Sequence, residues 1–272
     1  MPILHITHSR ADADSFASAF WGYRVVGGGI CVFDPDSTVQ NLMRSFKVKN
    51  TFPSRVASVF VYDTTDENKI PVELNNYSVF DHHPVVNRSF VERARFCFIK
   101  PRSSNVMNLY DLSKGFHLPP DVLLAFSVAL VTDTAFLKTA RGEELHYLGH
   151  FLGNNTLESV YEIILKGKVK HPEKFLRDLS QMQVVEDNIR VGIISCEDDD
   201  EFLAVIDSFM YPLDLAVVVG RLPWGTWVYC KKRKVQKVYS LLASYTPRKC
   251  GKIYDFHDTD DIVKKILDLY RK

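Results

Sequence analysis

The run Val56-Ala57-Ser58-Val59-Phe60-Val61-Tyr62 is almost continuously apolar and rich in β-branched and aromatic side chains. It suits a strand covered on both faces, which is the situation of a parallel sheet packed between helices. The flanking sequence repeats the pattern. Ile3 to Thr7 reads as a buried strand, and Ser15 to Val26 as a helix. Gly27-Gly28-Gly29 stops that helix, because glycine accepts the left-handed geometry beyond a helix end. Ile30 to Phe33 is the next strand, and Ser37 with Gln40 fits a capping box opening a helix through about Phe46. Short strands at Val79-Phe80 and Phe96 to Ile99 precede helices over Ser104 to Ser113 and Pro120 to about Thr132. The alternation predicts an α/β fold with a largely parallel β-sheet flanked by helices.

From about Leu145 to Val185 the pattern is helical throughout. Alternation restarts at Ile189, followed by a helix over Glu201 to Phe209. Strands are expected at Leu213 to Val219, Thr226 to Cys230 and Val235 to Leu241, and a last helix at Asp260 to Tyr270. The chain has 272 residues, which suits two domains of roughly 100–200 residues each. The expected division is 1–187, with a helical linker at its end, and 188–272, a smaller α/β domain.

Net charge is +1, so no global field draws the chain to nucleic acid or membrane, and such binding needs a local patch. No apolar run reaches the roughly 18 residues of a membrane span. Met1 to His5 lacks the basic and apolar regions of a signal peptide. Five scattered cysteines without a CxxC pair argue against a disulfide framework or a thiolate zinc site. They point to a reducing compartment, the cytoplasm.

Metal-type side chains follow three of the predicted strands. His8, Asp12 and Asp14 come after the first, Asp63 after Val56–Tyr62, and Asp81, His82 and His83 after Val79-Phe80. Asp133 stands near a helix end. In an open parallel sheet the carboxyl ends of the strands share one edge, where ligands bind. Imidazole and carboxylate without thiolate suit Mn²⁺, Mg²⁺ or Co²⁺. Carboxylates crowded together raise each other's pKa unless cations intervene. Two ions about 3.5–4 Å apart can share a bridging hydroxide and clamp a phosphoryl group. The bland alternatives are that Asp14 only caps a helix and Asp63 only ends a strand.

At these residues the sequence resembles the DHH phosphoesterase superfamily, in its oligoribonuclease/pAp-phosphatase and RecJ-like branch. The motifs are HSRADAD at 8–14, Asp63, Asp81-His82-His83 and Asp133-Thr134. The resemblance implies a divalent-metal-dependent phosphoesterase acting on nucleotides or short single-stranded oligonucleotides. It implies His8 and Asp12 on one metal, Asp14, His82 and Asp133 on the other, and Asp63 bridging. Two Mn²⁺ ions are the expected cofactor. His83 would face the substrate phosphate and Asp81 would orient a histidine. A homodimer is a further expectation, and no membrane partner is expected. Pyrophosphate or polyphosphate hydrolysis and a catalytically silent scaffold are the alternative functions.

The sequence departs from the family pattern at three places. Ala11 replaces a usual proline, Ala135 replaces the glycine of DTG, and no GGGH motif occurs in the second domain. From Arg221 to Lys252 there are nine basic residues and no acidic one, with Trp224, Trp227, Tyr229, Tyr239 and Tyr245 interleaved. This pattern fits either a surface for nucleotide phosphates and bases or a hairpin with lysines outside and aromatics inside. Arg221, Arg248 and Lys249 are the candidate phosphate contacts. Ser103 and Ser104 open a helix whose N-terminus either holds an anion or is simply capped.

Overall fold

The computed structural model describes residues 3–52, 55–186, 188–230, 237–238, 241, 253–256 and 258–270. The chain divides into two compact units, Met1–Lys166 and Gly167–Lys272.

In the first unit β1 (Ile3–Ile6), β2 (Gly29–Cys31), β3 (Ser58–Tyr62), β4 (Tyr77–Asp81) and β5 (Phe96–Ile99) form one sheet. The order is β2-β1-β3-β4-β5, and every pairing is parallel. Its helices are α1 (Ala13–Trp21), α2 (Ser37–Ser45), α3 (Arg88–Arg93), α4 (Asn105–Leu112), α5 (Pro120–Asp133), α6 (Gly142–Leu152) and α7 (Leu157–Leu165). Alternation along β3 divides the core in two. Val59 and Val61 join Leu4, Ile6, Val79 and Phe90 on one face. Phe60 and Tyr62 join Phe80, Phe16, Phe20, Trp21 and Phe126 on the other. Each fully buried side chain of this size contributes roughly 1.5–3 kcal/mol.

His5 is the polar exception, with no exposed surface on the face that packs on α1. Its Nδ1 lies 2.9 Å from Tyr62 Oη and its Nε2 3.0 Å from the Gly27 carbonyl. Burial pushes its pKa down to about 4. A π-helical turn, Gly22–Val26, passes over it, and a side chain at Gly22 would collide with His5 and Tyr62.

The caps differ from the sequence expectation. Asp12 caps α1, accepting from Ser15 N at 3.0 Å, and Asp36, not Ser37, caps α2. The α1 cap thus stands two places before Asp14, and the α2 cap one place before Ser37.

The second unit contains α8 (Pro172–Ser180), β6 (Gln183–Glu186), β7 (Arg190–Ser195), α9 (Asp199–Phe209), β8 (Val217–Leu222), β9 (Gly225–Cys230), β10 (Ile253–Phe256) and α10 (Thr259–Asp268). Its sheet is mixed, in the order β10-β9-β8-β7-β6, with only β7 and β8 parallel. The unit begins well before residue 187. Phe175 and Leu179 of α8 pack on Phe202, Val218 and Trp227, so this helix belongs to the second core and is not a linker. The stretch to Val185 is also not all helix, since β6 pairs antiparallel with β7. Lys237, Val238 and Leu241 are helical where a strand was expected. No helix among the described residues is long and apolar enough to cross a membrane.

Candidate metal centre

The order of the first sheet reverses between β1 and β3, because β2 lies on one side of β1 and β3 on the other. Such a switch point opens a crevice at the carboxyl ends of the two strands. His8 follows β1 and Asp63 follows β3, so the two flank that crevice. Asp63 has φ of 62°, a left-handed backbone that aspartate tolerates better than most residues, and its N–H donates to the Phe80 carbonyl at 2.8 Å.

Asp63 is buried and serves both imidazoles. Its Oδ2 lies 3.4 Å from His8 Nε2 and its Oδ1 3.2 Å from His82 Nε2. Asp12 Oδ2 is 3.7 Å from His8 Nε2, and Asp14 Oδ2 is 3.4 Å from His82 Nε2. The ligand atoms of His8, Asp12 and Asp63 lie within 4.8 Å of one another, as do those of Asp14, His82 and Asp133. Asp12 and Asp133 keep exposed surface, whereas Asp14 and Asp63 are buried.

Each imidazole is fixed through its other nitrogen. His8 Nδ1 lies 2.8 Å from the Ser9 carbonyl, and His82 Nδ1 lies 2.8 Å from the Arg102 carbonyl. The Nε2 atoms therefore face the carboxylates. Asp81 has no exposed surface, and its Oδ1 accepts from His82 N, His83 N and His83 Nδ1 at 2.7, 3.1 and 2.9 Å. The His83 side chain is half exposed, and Asp81 orients it.

Electrostatics reflect the crowding. Burial, then the like charge of Asp63, push Asp14 up to about 6. Desolvation and then the charges of Asp14, Asp12 and Asp63 hold Asp133 well above the usual carboxylate range. Burial would raise Asp63 as well, but the His8 and His82 imidazoles outweigh it and hold its carboxyl well below that range. Burial opposes charge on both histidines, yet Asp63 and Asp12 push His8 up to about 9, while Asp63 and Asp14 push His82 up to about 10. The cluster thus calls for positive charge. A divalent-metal pair fits the donor set: imidazole Nε2 atoms backed by carbonyls, carboxylates within reach, and Asp63 Oδ1, which is buried without a hydrogen-bond partner.

The helix end at 103–105 is already occupied by an anion of the protein itself. Asn105 N donates to Asp14 Oδ2 at 2.6 Å and Val106 N to Asp14 Oδ1 at 3.2 Å. Ser103 Oγ donates to the Glu144 carboxylate, and Ser104 is fully buried. The Ser103 hydroxyl is thus taken up by Glu144, and Ser104 is closed off from solvent. The α4 N-terminus instead anchors Asp14, a partner that no spacing in the sequence reveals. In the second unit Arg221 Nη2 pairs with Asp260 Oδ1 at 2.6 Å. Trp227 is a core residue, edge-to-face with Phe202, and Trp224 is exposed. Arg248 and Lys249, the four basic residues at 231–234, Lys252, Tyr239 and Tyr245 lie outside the described residues.

No protein-family model matches the chain, and no curated protein matches it in sequence. Solved structures do. An exopolyphosphatase-related protein from Bacteroides fragilis superposes with a TM-score of 0.72 at 12% identity, over 99% of this chain and 92% of that one. This chain has that protein's fold. A DHH domain described as a member of the s1p family of ribosomal proteins gives a TM-score of 0.47 at 11% identity, over 100% of this chain and 87% of that one. The second likeness is too distant to support an inference.

Proposed function

We propose that this chain is a divalent-metal-dependent phosphohydrolase of the DHH phosphoesterase kind. It cleaves phosphoester bonds of nucleotides or short single-stranded oligonucleotides. The observation that carries the reading is convergence at the sheet's switch point. Segments at 8–14, 63, 81–83 and 133 bring two ligand triads together, with Asp63 turning one oxygen toward each imidazole. His8 and Asp12 would hold one Mn²⁺-type ion, and Asp14, His82 and Asp133 the other, with Asp63 between them. When bound, such a pair supplies Lewis acidity toward phosphoryl oxygens and acidifies water.

The remaining roles belong to the chain's own groups. Asp81 takes the Nδ1–H of His83, so the Nε2 of that half-exposed ring is left for a phosphate oxygen or a proton. The main-chain N–H groups at the start of α4 keep the buried Asp14 carboxylate in place as a ligand. Asp14 and Asp63 are buried while Asp12 and Asp133 keep exposed surface, so a phosphoryl group would approach from the side of Asp12 and Asp133.

The fold shared with an exopolyphosphatase-related protein supports phosphohydrolase chemistry and favours one second reading, hydrolysis of pyrophosphate or linear polyphosphate. A panel of 3′,5′-bisphosphorylated nucleotide, short RNA, pyrophosphate and polyphosphate, assayed with Mn²⁺, separates the two. Asp63→Asn keeps a residue at ease in left-handed backbone and removes the shared charge. Turnover of whichever substrate is cleaved should fall at least about a hundredfold with the fold retained. Undiminished turnover refutes the assignment. Mn²⁺ uptake without turnover on any member of the panel supports a scaffold instead.

A further inference from the structure

The loop from Lys100 to Ser104 joins β5 to α4, and one of its residues is tied down far more firmly than a connecting loop requires. The Arg102 side chain is only 11% exposed. Its Nη1 donates to Tyr147 Oη at 2.7 Å and to the Met107 carbonyl at 3.3 Å. Its Nη2 lies 2.7 Å from Asp111 Oδ2 and 3.7 Å from Glu143 Oε1. The guanidinium also sits over the Tyr147 ring, 5.1 Å from its centre, and Tyr147 Oη donates to Asp111 Oδ1 at 2.8 Å. The side chain therefore grips α4 and α6 together. Helix packing alone would be served by an apolar residue, since burying a charge is expensive even when it is paired.

The backbone of the same residue supplies the missing purpose. The Arg102 carbonyl accepts the Nδ1–H of His82 at 2.8 Å. Two further anchors hold the loop on either side: Asn108 Nδ2 donates to the Lys100 carbonyl at 2.8 Å, and Ser103 Oγ donates to Glu144. A carbonyl flanked by these anchors, whose own side chain is locked in a rigid fork, has no freedom to turn away.

We propose that Arg102 is a positioning residue for His82. Its clamped side chain fixes the carbonyl that keeps Nδ1 the donor and Nε2 the nitrogen aimed at Asp14 and Asp63. The consequence for metal affinity rests on the two-metal reading above; the positioning itself does not. The role is distinct from that of a ligand, because Arg102 touches neither the carboxylates of the centre nor the Nε2 side of the ring. Groups that hold a metal-binding histidine from behind typically change metal affinity about 10- to 100-fold when removed.

The test uses the full-length chain and three readouts. In the metal-free protein the hydrogen-bonded Nδ1–H of His82 should give a slowly exchanging imidazole proton resonance, assigned by its loss in His82→Gln. Calorimetry with Mn²⁺ reports uptake, and thermal melting reports stability. In Arg102→Leu the resonance should vanish into exchange and one Mn²⁺ step should weaken about 10- to 100-fold, leaving the other. Arg102→Lys, which keeps the charge without the fork, should recover part of both, and it carries the test if Arg102→Leu does not fold. Tyr110→Leu is the packing control, because Tyr110 packs against Phe151 between α4 and α6, with ring centres 5.1 Å apart. It should melt lower yet keep the resonance and both Mn²⁺ steps. If the Arg102 variants melt lower while the resonance and both steps persist, Arg102 only packs helices and the proposal is overturned. If wild type takes up no Mn²⁺ but Arg102→Leu still loses the resonance, the positioning stands and the two-metal reading fails.

Discussion

His5 and His8 stand three residues apart and titrate in opposite directions. Burial pushes His5 down to about 4, from an ordinary 6.5, against the hydrogen bond to the Gly27 carbonyl, which favours its charged form. The unfolded chain therefore takes up a proton near pH 6.5 that the folded protein refuses until about pH 4. Stability from this group is fully present above 6.5 and is lost as the pH falls toward 4, by up to about 3 kcal/mol. His5→Gln, which cannot titrate, should show a flatter loss of stability than wild type between pH 6.5 and 4 in urea melts. Parallel curves would show that His5 is not the group responsible. His8 behaves in the reverse sense, because Asp63 and Asp12 favour its charged form. In the metal-free protein its contribution is present below 6.5 and is lost as the pH rises through about 9. At this scale the sequence showed which side chains the fold brings together, because histidine and aspartate after strands are distinctive. It did not show their supports. The groups holding Asp14 and His82 are two amides of α4 and one carbonyl of the Arg102 loop, and backbone atoms leave no mark on residue type.

The turn that follows α5 runs through left-handed backbone. Ala135, Phe136 and Leu137 have φ of 50°, 57° and 65°, three successive non-glycine residues in left-handed backbone directly after Asp133 and Thr134. Phe136 N donates to the Val131 carbonyl at 2.8 Å and Thr139 N to the Thr134 carbonyl at 3.0 Å, which closes the turn. Left-handed geometry costs a residue with a Cβ roughly 1–2 kcal/mol. Ala135→Gly should therefore stabilise the fold by about 0.5–1 kcal/mol, after the entropy that glycine adds to the unfolded chain. The midpoint of urea unfolding measures it, and a midpoint shifted downward would show that the turn is relaxed. Among elements, β1 and β3 were legible because both are apolar runs that become fully buried toward their carboxyl ends. Two others were not. β6 is mostly exposed, with Val185 the single half-buried residue, so it lacks any pattern of alternation. In α3 only Phe90 is buried, too little to set a helical period.

Across the whole molecule, each unit has its own sheet and its own core, and among the described residues the clusters able to hold a metal lie in the first. The parallel order of that sheet, which strand–helix alternation predicted, brings positions 8, 63 and 81–83 to one edge, and α5, packed on α1, carries position 133 there. The unit boundary was harder to place, since α8 is amphipathic and nothing in its own sequence says which core it covers; Phe175 and Leu179 answer that only in three dimensions. The tightest test of the account is anomalous diffraction at the manganese edge from crystals grown with Mn²⁺. Two peaks are predicted in each chain, one bounded by His8, Asp12 and Asp63 and the other by Asp14, His82 and Asp133. Ordered crystals in which those six side chains converge as described, yet no peak rises among them, would contradict it.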